Sequence, residues 1–126
     1  MNNPVGWFEI YVRDMARAKS FYEAVLNRRL HELPEPAGPD GPEMLVFDMD
    51  GDAFGASGAL AKMPGFEPGG NAVLVYFSCE DCAVEAARVE AAGGQIVKPK
   101  TSIGPYGAIV LFTDTEGNMI GLHSLS

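Results

Sequence analysis

The sequence is short of basic residues, cysteine and long apolar runs. Of 126 residues, 9 are Lys or Arg and 17 are Asp or Glu, which gives a net charge of −8. Such a chain repels phosphate backbones and anionic lipid surfaces, so we expect no nucleic acid or membrane partner. No apolar run approaches the roughly 20 residues that a membrane-spanning helix needs. The first residues show no basic and apolar leader pattern, which favours a cytoplasmic protein.

The two cysteines, Cys79 and Cys82, are too few for a disulfide scaffold in such a chain. Their C-x-x-C spacing at a strand end and helix start is also found in redox proteins. However, Glu80 and Asp81 lie between the thiols and oppose thiolate formation. The pair is therefore interpreted mainly as structural, with a redox or zinc role as the weaker alternative.

The length and a hydrophobic fraction of 47% predict one globular domain over residues 1–126. Hydrophobic periodicity predicts a strand at 5–12, a helix at 15–26 that Asp14 caps, and strands at 28–33, 44–49 and 53–58. The second half repeats this order. It has a strand at 72–78, a helix at 82–92 that Asp81 caps, and strands at 95–98, 108–112 and 119–125.

Landmarks recur at a nearly constant distance along the chain. Asp14 and Asp81 are 67 residues apart, and both the pair Gly51 and Gly117 and the pair Gly55 and Gly121 are 66 apart. A repeat of this kind indicates two copies of one supersecondary unit. We therefore predict an α+β fold of two tandem βαβββ modules, 1–58 and 71–126, which a Pro- and Gly-rich linker at 59–70 joins.

This pattern resembles the vicinal oxygen chelate superfamily of glyoxalases, bleomycin-resistance proteins and extradiol dioxygenases. The residues that carry the resemblance are 8–22 (FEIYVRDMARAKSFY), 92–94 (AGG) and 112–123 (FTDTEGNMIGLH). The resemblance implies an open, curled mixed β-sheet of two half-barrels, with the helices on its convex side. It also implies a small-molecule site on the concave side, and a homodimer.

Metal-binding members of the superfamily carry His, Gln or Glu ligands at four positions. The resemblance places these positions at Trp7, Gly55, Leu74 and Gly121. None of these side chains can coordinate a metal ion, so we expect no metal cofactor there. A divalent metal at a non-standard site, with Glu9, Tyr76 or His123 as ligands, is left open.

Strand alternation selects the side chains that share the concave face. Glu9 and His123 are the candidate catalytic residues, because a carboxylate near an imidazole can act as a general acid or base. The alternative is that Glu9 only bonds neighbouring strands and that His123 only forms part of the wall. The candidate ligand-binding residues are Trp7, Tyr11, Ser57, Tyr76, Ser78, Tyr106 and Gly121, where Gly121 is expected to leave room for a ligand.

Two functions follow as hypotheses. The first is a metal-independent protein that binds a small aromatic or amphipathic molecule. The second is a glyoxalase-like lyase or isomerase, or a dioxygenase-type enzyme, that uses Glu9 and His123 or a non-standard metal site. In both cases the partner is a small molecule and the chain is expected to dimerise, since open half-barrels leave strand edges that need cover.

Overall fold

A computed structural model describes residues 3–34, 41–70, 72–115 and 117–126. The first half contains β1 (Val5–Tyr11), α1 (Met15–Leu26), β2 (Leu30–His31), β3 (Glu43–Phe47) and β4 (Ser57–Lys62). The second half contains β5 (Val73–Ser78), α2 (Cys82–Val89), β6 (Gln95–Ser102), β7 (Ala108–Thr113) and β8 (Met119–Ser124). A 3₁₀ turn at Gly104–Tyr106 precedes β7.

All eight of these strands form one open sheet in the order β2-β3-β4-β1-β5-β8-β7-β6. Within each module the first strand pairs in parallel with the fourth, and the modules join through an antiparallel pair of β1 and β5. The structure confirms the predicted α+β class and the curled, unclosed mixed sheet.

The helices begin where the sequence predicts. The Asp14 carboxylate accepts from the Arg17 amide at 3.0 Å, and the Asp81 carboxylate accepts from the Ala83 amide at 3.0 Å. Each cap satisfies an amide that the first helical turn leaves unpaired. The bounds of α1 match the prediction, whereas α2 ends three residues early at Val89.

Both helices cover the same face of the sheet. Phe8 and Ile10 of β1 pack with α1, and they pair in register with Val75 and Val73 of β5. Phe77, further along β5 on the same face, packs in the cluster beneath α2. The opposite face, here called the open face, has its own buried core of Tyr11, Ala61, Leu74, Tyr76 and Leu111.

The fourth strand lies four residues later than predicted. The turn that starts at Asp50 continues beyond residue 53, since Asp50 accepts from the Ala53 amide with its carbonyl and from the Asp52 amide with its carboxylate. Gly55 then has a φ of +95°, which glycine adopts readily. Residues 57–62 form the strand, so the predicted linker at 59–70 begins too early, and the connection covers 63–70.

This shift changes which residues are equivalent in the two modules. Gly55 lies in the turn, so its predicted equivalence to Gly121 is wrong. Glu9 pairs with Ala59 on β4, and Tyr76 pairs with Gly121 on β8. Since Glu9 and Tyr76 stand at the same distance before their helix caps, Ala59 is the counterpart of Gly121.

Other predicted bounds differ at the sheet edges. The β2 strand has two residues rather than six, and β6 continues to Ser102 through irregular pairing with β7. The stretch at 34–42, which contains four prolines, lies mostly outside the described residues. Within the described residues, no helix has the length and apolar character to cross a membrane.

Candidate functional site

The open face brings most of the predicted site residues together. Trp7, Glu9 and Tyr11 alternate along β1, and Trp7 pairs with Ser57 on one side and with Tyr76 on the other. Because paired residues share a face, the central strands display these side chains side by side.

Glu9 lies at the centre of this face with 3% of its surface exposed. Its Oε1 accepts from the Tyr11 hydroxyl at 2.6 Å and from the Tyr76 hydroxyl at 3.3 Å, and its Oε2 accepts from the Trp7 indole Nε1 at 3.1 Å. Trp7, Glu9, Tyr11 and Tyr76 are called the carboxylate cluster below. The hydrogen bond from Tyr76 joins the second module to Glu9 of the first.

Burial dominates the electrostatics of the cluster. Removal from water raises the pKa of Glu9 above its ordinary value of 4.5, and the bonds from Tyr11, Trp7 and Tyr76 offset only part of this effect. Burial and the nearby carboxylate also raise the pKa of Tyr11 and of Tyr76, so both hydroxyls stay protonated. The carboxylate is therefore held by three neutral donors rather than by a cation.

Tyr11 is shut off from solvent by the connection between the modules. The ring of Phe66 stacks on Tyr11 with centroids 4.9 Å apart and planes at 26°. A turn in which the Phe66 amide donates to the Met63 carbonyl brings this segment back over the sheet. Tyr11 is 4% exposed as a result, so it supports the cluster and is not open to a ligand.

The expectation that Gly121 leaves space for a ligand is wrong. A Cβ atom at Gly121 would lie 2.3 Å from the ring of Tyr76. The space without a side chain is therefore filled by the Tyr76 ring, which crosses the β8 backbone there. Gly121 thus leaves room for the Tyr76 ring beside β8.

Glu9 and His123 do not form the expected pair. Glu9 lies on β1 and pairs with Leu74 of β5. His123 lies on β8, at the other side of β5, and pairs with Ser78, which is four residues after Leu74. Standard strand spacings put their Cα atoms roughly 15 Å apart. The His123 ring instead bonds the backbone carbonyl of Tyr106, with 2.7 Å between Nε2 and the oxygen.

The remaining polar candidates, Ser57, Ser78 and His123, are called the polar rim below. The Ser57 hydroxyl is directed at β3, at 3.2 Å from the Phe47 carbonyl and 3.1 Å from that of Asp48. Ser78 is exposed and His123 is half-buried. Trp7 is also half-buried, so its ring contributes to the accessible surface beside the rim.

Two observations concern metal and thiol chemistry. No group of three or more His, Cys, Asp or Glu side chains in the described parts of the chain is arranged to hold a metal ion. Cys79 and Cys82 are free thiols, Cys82 is buried, and burial raises the pKa of Cys79 to about 11. The Cys79 thiol is therefore protonated at neutral pH, which supports the structural interpretation.

Sequence reasoning missed the residues that close the face. Phe66 and Met63 lie in the segment that was predicted as linker, although both pack on the open-face core. An aromatic residue in a Pro- and Gly-rich connection was the available signal. Surface clefts of about 440 and 470 Å³ occur elsewhere, and no residue of the carboxylate cluster lines either of them.

A family model described as the Glyoxalase/Bleomycin resistance protein/Dioxygenase superfamily matches residues 5–122. Curated relatives from Mycobacterium bovis and Mycobacterium tuberculosis, both named "Putative glyoxylase CFP32", are 31% identical over 111 residues. The match covers 88% of this chain but only 40% of those relatives.

Solved structures show the same fold at lower identity. Methylmalonyl-CoA epimerase from Mycobacterium tuberculosis superposes with a TM-score of 0.69 at 17% identity, over 98% of this chain and 88% of its own. A Streptomyces coelicolor methylmalonyl-CoA epimerase variant in complex with 2-nitronate-propionyl-CoA has a TM-score of 0.68 at 16% identity, over 98% of both chains. NAD-dependent benzaldehyde dehydrogenase from Legionella pneumophila has a TM-score of 0.62 at 19% identity, over 95% of this chain and 98% of its own.

Proposed function

The chain belongs to the Glyoxalase/Bleomycin resistance protein/Dioxygenase superfamily, and we propose that it binds a small aromatic or amphipathic molecule on its open face without a metal ion. The observation that carries this proposal is the carboxylate cluster. Where the family resemblance expects a metal centre, this chain has a buried carboxylate whose oxygens already accept from three neutral donors.

The side chains at the expected metal positions do not fit a metal ion. The first-strand positions, Trp7 and Leu74, offer no ligand atom. The fourth-strand positions on β4 and β8 are Ala59 and Gly121, which have no ligand atom either. The Tyr76 ring also fills the space beside Gly121.

The charge of the open face favours an uncharged or cationic ligand. On β4, β1, β5 and β8, the positions of this face carry one carboxylate, Glu9, and no Lys or Arg. An anionic ligand would meet that carboxylate with no compensating cation. The half-buried Trp7 ring supplies an aromatic surface, and the polar rim supplies hydrogen-bonding groups beside it.

An enzyme that uses Glu9 and His123 together has less support. A general acid or base must come within hydrogen-bonding reach of its substrate. Glu9 lies beneath the aromatic side chains that donate to it, and the strand register separates it from His123. The activities named for the similar structures stay with those proteins, since at 16–19% identity the likeness shows the fold alone.

We also propose a homodimer, in the cytoplasm. Phe54 is 99% exposed and Met49 is 65% exposed in the connection between β3 and β4, and a second copy would cover them. The curated relatives are long enough for a second domain of this size, since the match spans 40% of them. Sedimentation at micromolar concentration tests the dimer, and a monomer of 13.4 kDa contradicts it.

The single tryptophan makes the binding proposal testable. Trp7 lies on the open face, so its fluorescence reports a ligand that binds there. We expect some members of an aromatic and amphipathic compound set to change this fluorescence and to raise Tm, with and without EDTA. As a control, Val84→Ala on the exposed side of α2 should leave the affinity unchanged.

Binding that EDTA abolishes and a divalent metal restores would contradict the proposal. So would ligands whose amide chemical-shift changes map to the clefts away from the carboxylate cluster. Stoichiometric metal in the purified chain would revive the enzyme hypothesis.

A further inference from the structure

The hydrogen bond of His123 determines where its ring carries a proton. Nε2 lies 2.7 Å from the carbonyl oxygen of Tyr106. A carbonyl oxygen only accepts, so Nε2 must be the protonated nitrogen. In the neutral ring, Nδ1 is then the acceptor.

The carbonyl that fixes this tautomer is itself held in place. The Ile103 amide donates to the Gly107 carbonyl, and the Gly107 amide donates to that of Gly104, which closes the turn around Tyr106. Gly107 has a φ of +106°, and a Cβ atom there would lie 2.1 Å from the Ser124 carbonyl oxygen. The turn therefore packs directly on β8, the strand that carries His123.

A second polar residue lies next to His123 in the sheet, and its Oγ is directed towards Gly6 on β1. This residue, Ser78, is the register partner of His123 on β5, and neighbouring strands are roughly 4.8 Å apart. Among the described residues, neither the Ser78 hydroxyl nor the His123 Nδ1 has a hydrogen-bonding partner. The Trp7 ring belongs to the same face, on the strand next to Ser78.

From this geometry we propose that His123 Nδ1 and the Ser78 hydroxyl form a subsite for a hydroxyl or carboxamide group on an aromatic ligand. This proposal rests on the proposed function and specifies the polar group that the ligand carries. The ligand group donates to Nδ1 and exchanges a hydrogen bond with Ser78, while its ring lies towards Trp7. A carboxylate cannot donate to Nδ1, and it would add a second negative charge to the face of Glu9.

The tautomer is measured first, on the ligand-free chain. Long-range ¹H–¹⁵N spectra at neutral pH distinguish an Nε2–H ring from an Nδ1–H ring. The chain has two histidines, and His31→Asn assigns the signals because His31 is exposed. We expect a fixed Nε2–H tautomer for His123, whereas an Nδ1–H ring or a fast mixture of the two overturns the subsite.

The second measurement compares matched probes by Trp7 fluorescence and amide chemical shifts. Benzamide and phenol should bind more tightly than toluene and benzoate. His123→Phe has no Nδ1 acceptor, so the affinity for benzamide should fall about tenfold, in keeping with the loss of one hydrogen bond. As a control, Ile109→Val, at the β7 position that pairs with His123, should leave the affinity unchanged.

The outcomes separate the two proposals. Benzamide that binds the open face equally well in wild type and His123→Phe overturns the subsite and leaves metal-independent binding in place. Benzoate that binds as tightly as benzamide has the same consequence. Binding of all four probes only when a metal is added overturns both proposals.

Discussion

The two modules have the same βαβββ order but use the same positions of their first strands differently. Counted back from the helix caps, Glu9 corresponds to Tyr76 and Tyr11 corresponds to Ser78. Tyr11 is buried under Phe66 of the intermodule connection, whereas no described residue covers Ser78 in this way. The first module therefore closes one end of the open face, and the second leaves the other end accessible.

The difference is sharpest at the centre of the sheet. Equivalent positions on the two modules became an acceptor, Glu9, and a donor, Tyr76, which bond to each other. The two modules therefore carry complementary side chains at the same position of their first strands. The hydrogen bond between these side chains joins the two modules.

Glu9→Leu should cause the largest loss of stability. It leaves two buried tyrosine hydroxyls and one partly buried indole N–H without an acceptor, at about 1–3 kcal/mol for each fully buried donor and less for the indole. We expect the free energy of unfolding in urea to fall by about 3–6 kcal/mol. That loss is a large part of the 5–15 kcal/mol typical of a domain, so the variant is near the limit of folding.

A compensated variant keeps this prediction testable. Glu9→Leu combined with Tyr11→Phe and Tyr76→Phe removes two of the unpaired donors with their acceptor, so most of the stability should return. If the single and triple variants are equally unstable, the cluster does not join the modules as described. A Glu9→Leu variant as stable as the wild type would contradict the role of the cluster directly.

Gly121→Ala should have the next largest effect. The new Cβ atom would overlap the Tyr76 ring, so the ring must shift away from β8 and its packing in the cluster is disturbed. We expect a loss of about 1–3 kcal/mol, the usual range for overpacking. Gly51→Ala is the control, because nothing lies near its Cβ position and its φ is not positive. Unfolding curves that do not distinguish the two variants would show that Tyr76 tolerates the methyl group.

The dependence of stability on pH should reveal the buried carboxylate. The folded-state pKa of Glu9 is raised, so the folded chain holds this proton more tightly than the unfolded chain does. The contribution of Glu9 to stability is therefore fully present below pH 4.5 and is lost as pH rises through the folded pKa. Relative to Glu9→Gln, the wild type should lose stability as the pH rises above 4.5. A difference that is flat or grows with pH would contradict the raised pKa.

The fold could be predicted from sequence because its signals are local. Asp14 and Asp81 cap helices directly, and the alternating apolar residues of β1 and β5 identify the helix-covered face. The β4 strand was misplaced because its run of Ser, Gly, Ala and Leu has little strand character, and its position depends on pairing with β1 and β3. Register between distant strands is a property of the sheet rather than of the segment.

The candidate site was predicted in its members but not in its arrangement. Alternation placed Glu9 and Tyr76 on one face, where the structure joins them by a hydrogen bond. It gave no distance along the strands, so Glu9 and His123 were expected to meet. It also gave no account of a side chain that crosses a neighbouring strand, which is how the Tyr76 ring fills the space at Gly121.

The smallest predicted effect distinguishes the two tyrosines of the cluster. The Tyr11 hydroxyl lies 2.6 Å from Glu9 Oε1, and the Tyr76 hydroxyl lies 3.3 Å from the same atom. A short hydrogen bond to a charged acceptor is the stronger one, so Tyr11→Phe should cost about 1–2 kcal/mol and Tyr76→Phe less than about 1 kcal/mol. Tyr22→Phe on α1, outside the cluster, is the matched control and should change little. Each cluster variant should also raise the pKa of Glu9 further, since each removes a bond that lowers it, and carboxyl ¹³C shifts measure this. If Tyr76→Phe is the costlier change, the bond within the first module is not the stronger one, and the contact between the modules holds the carboxylate.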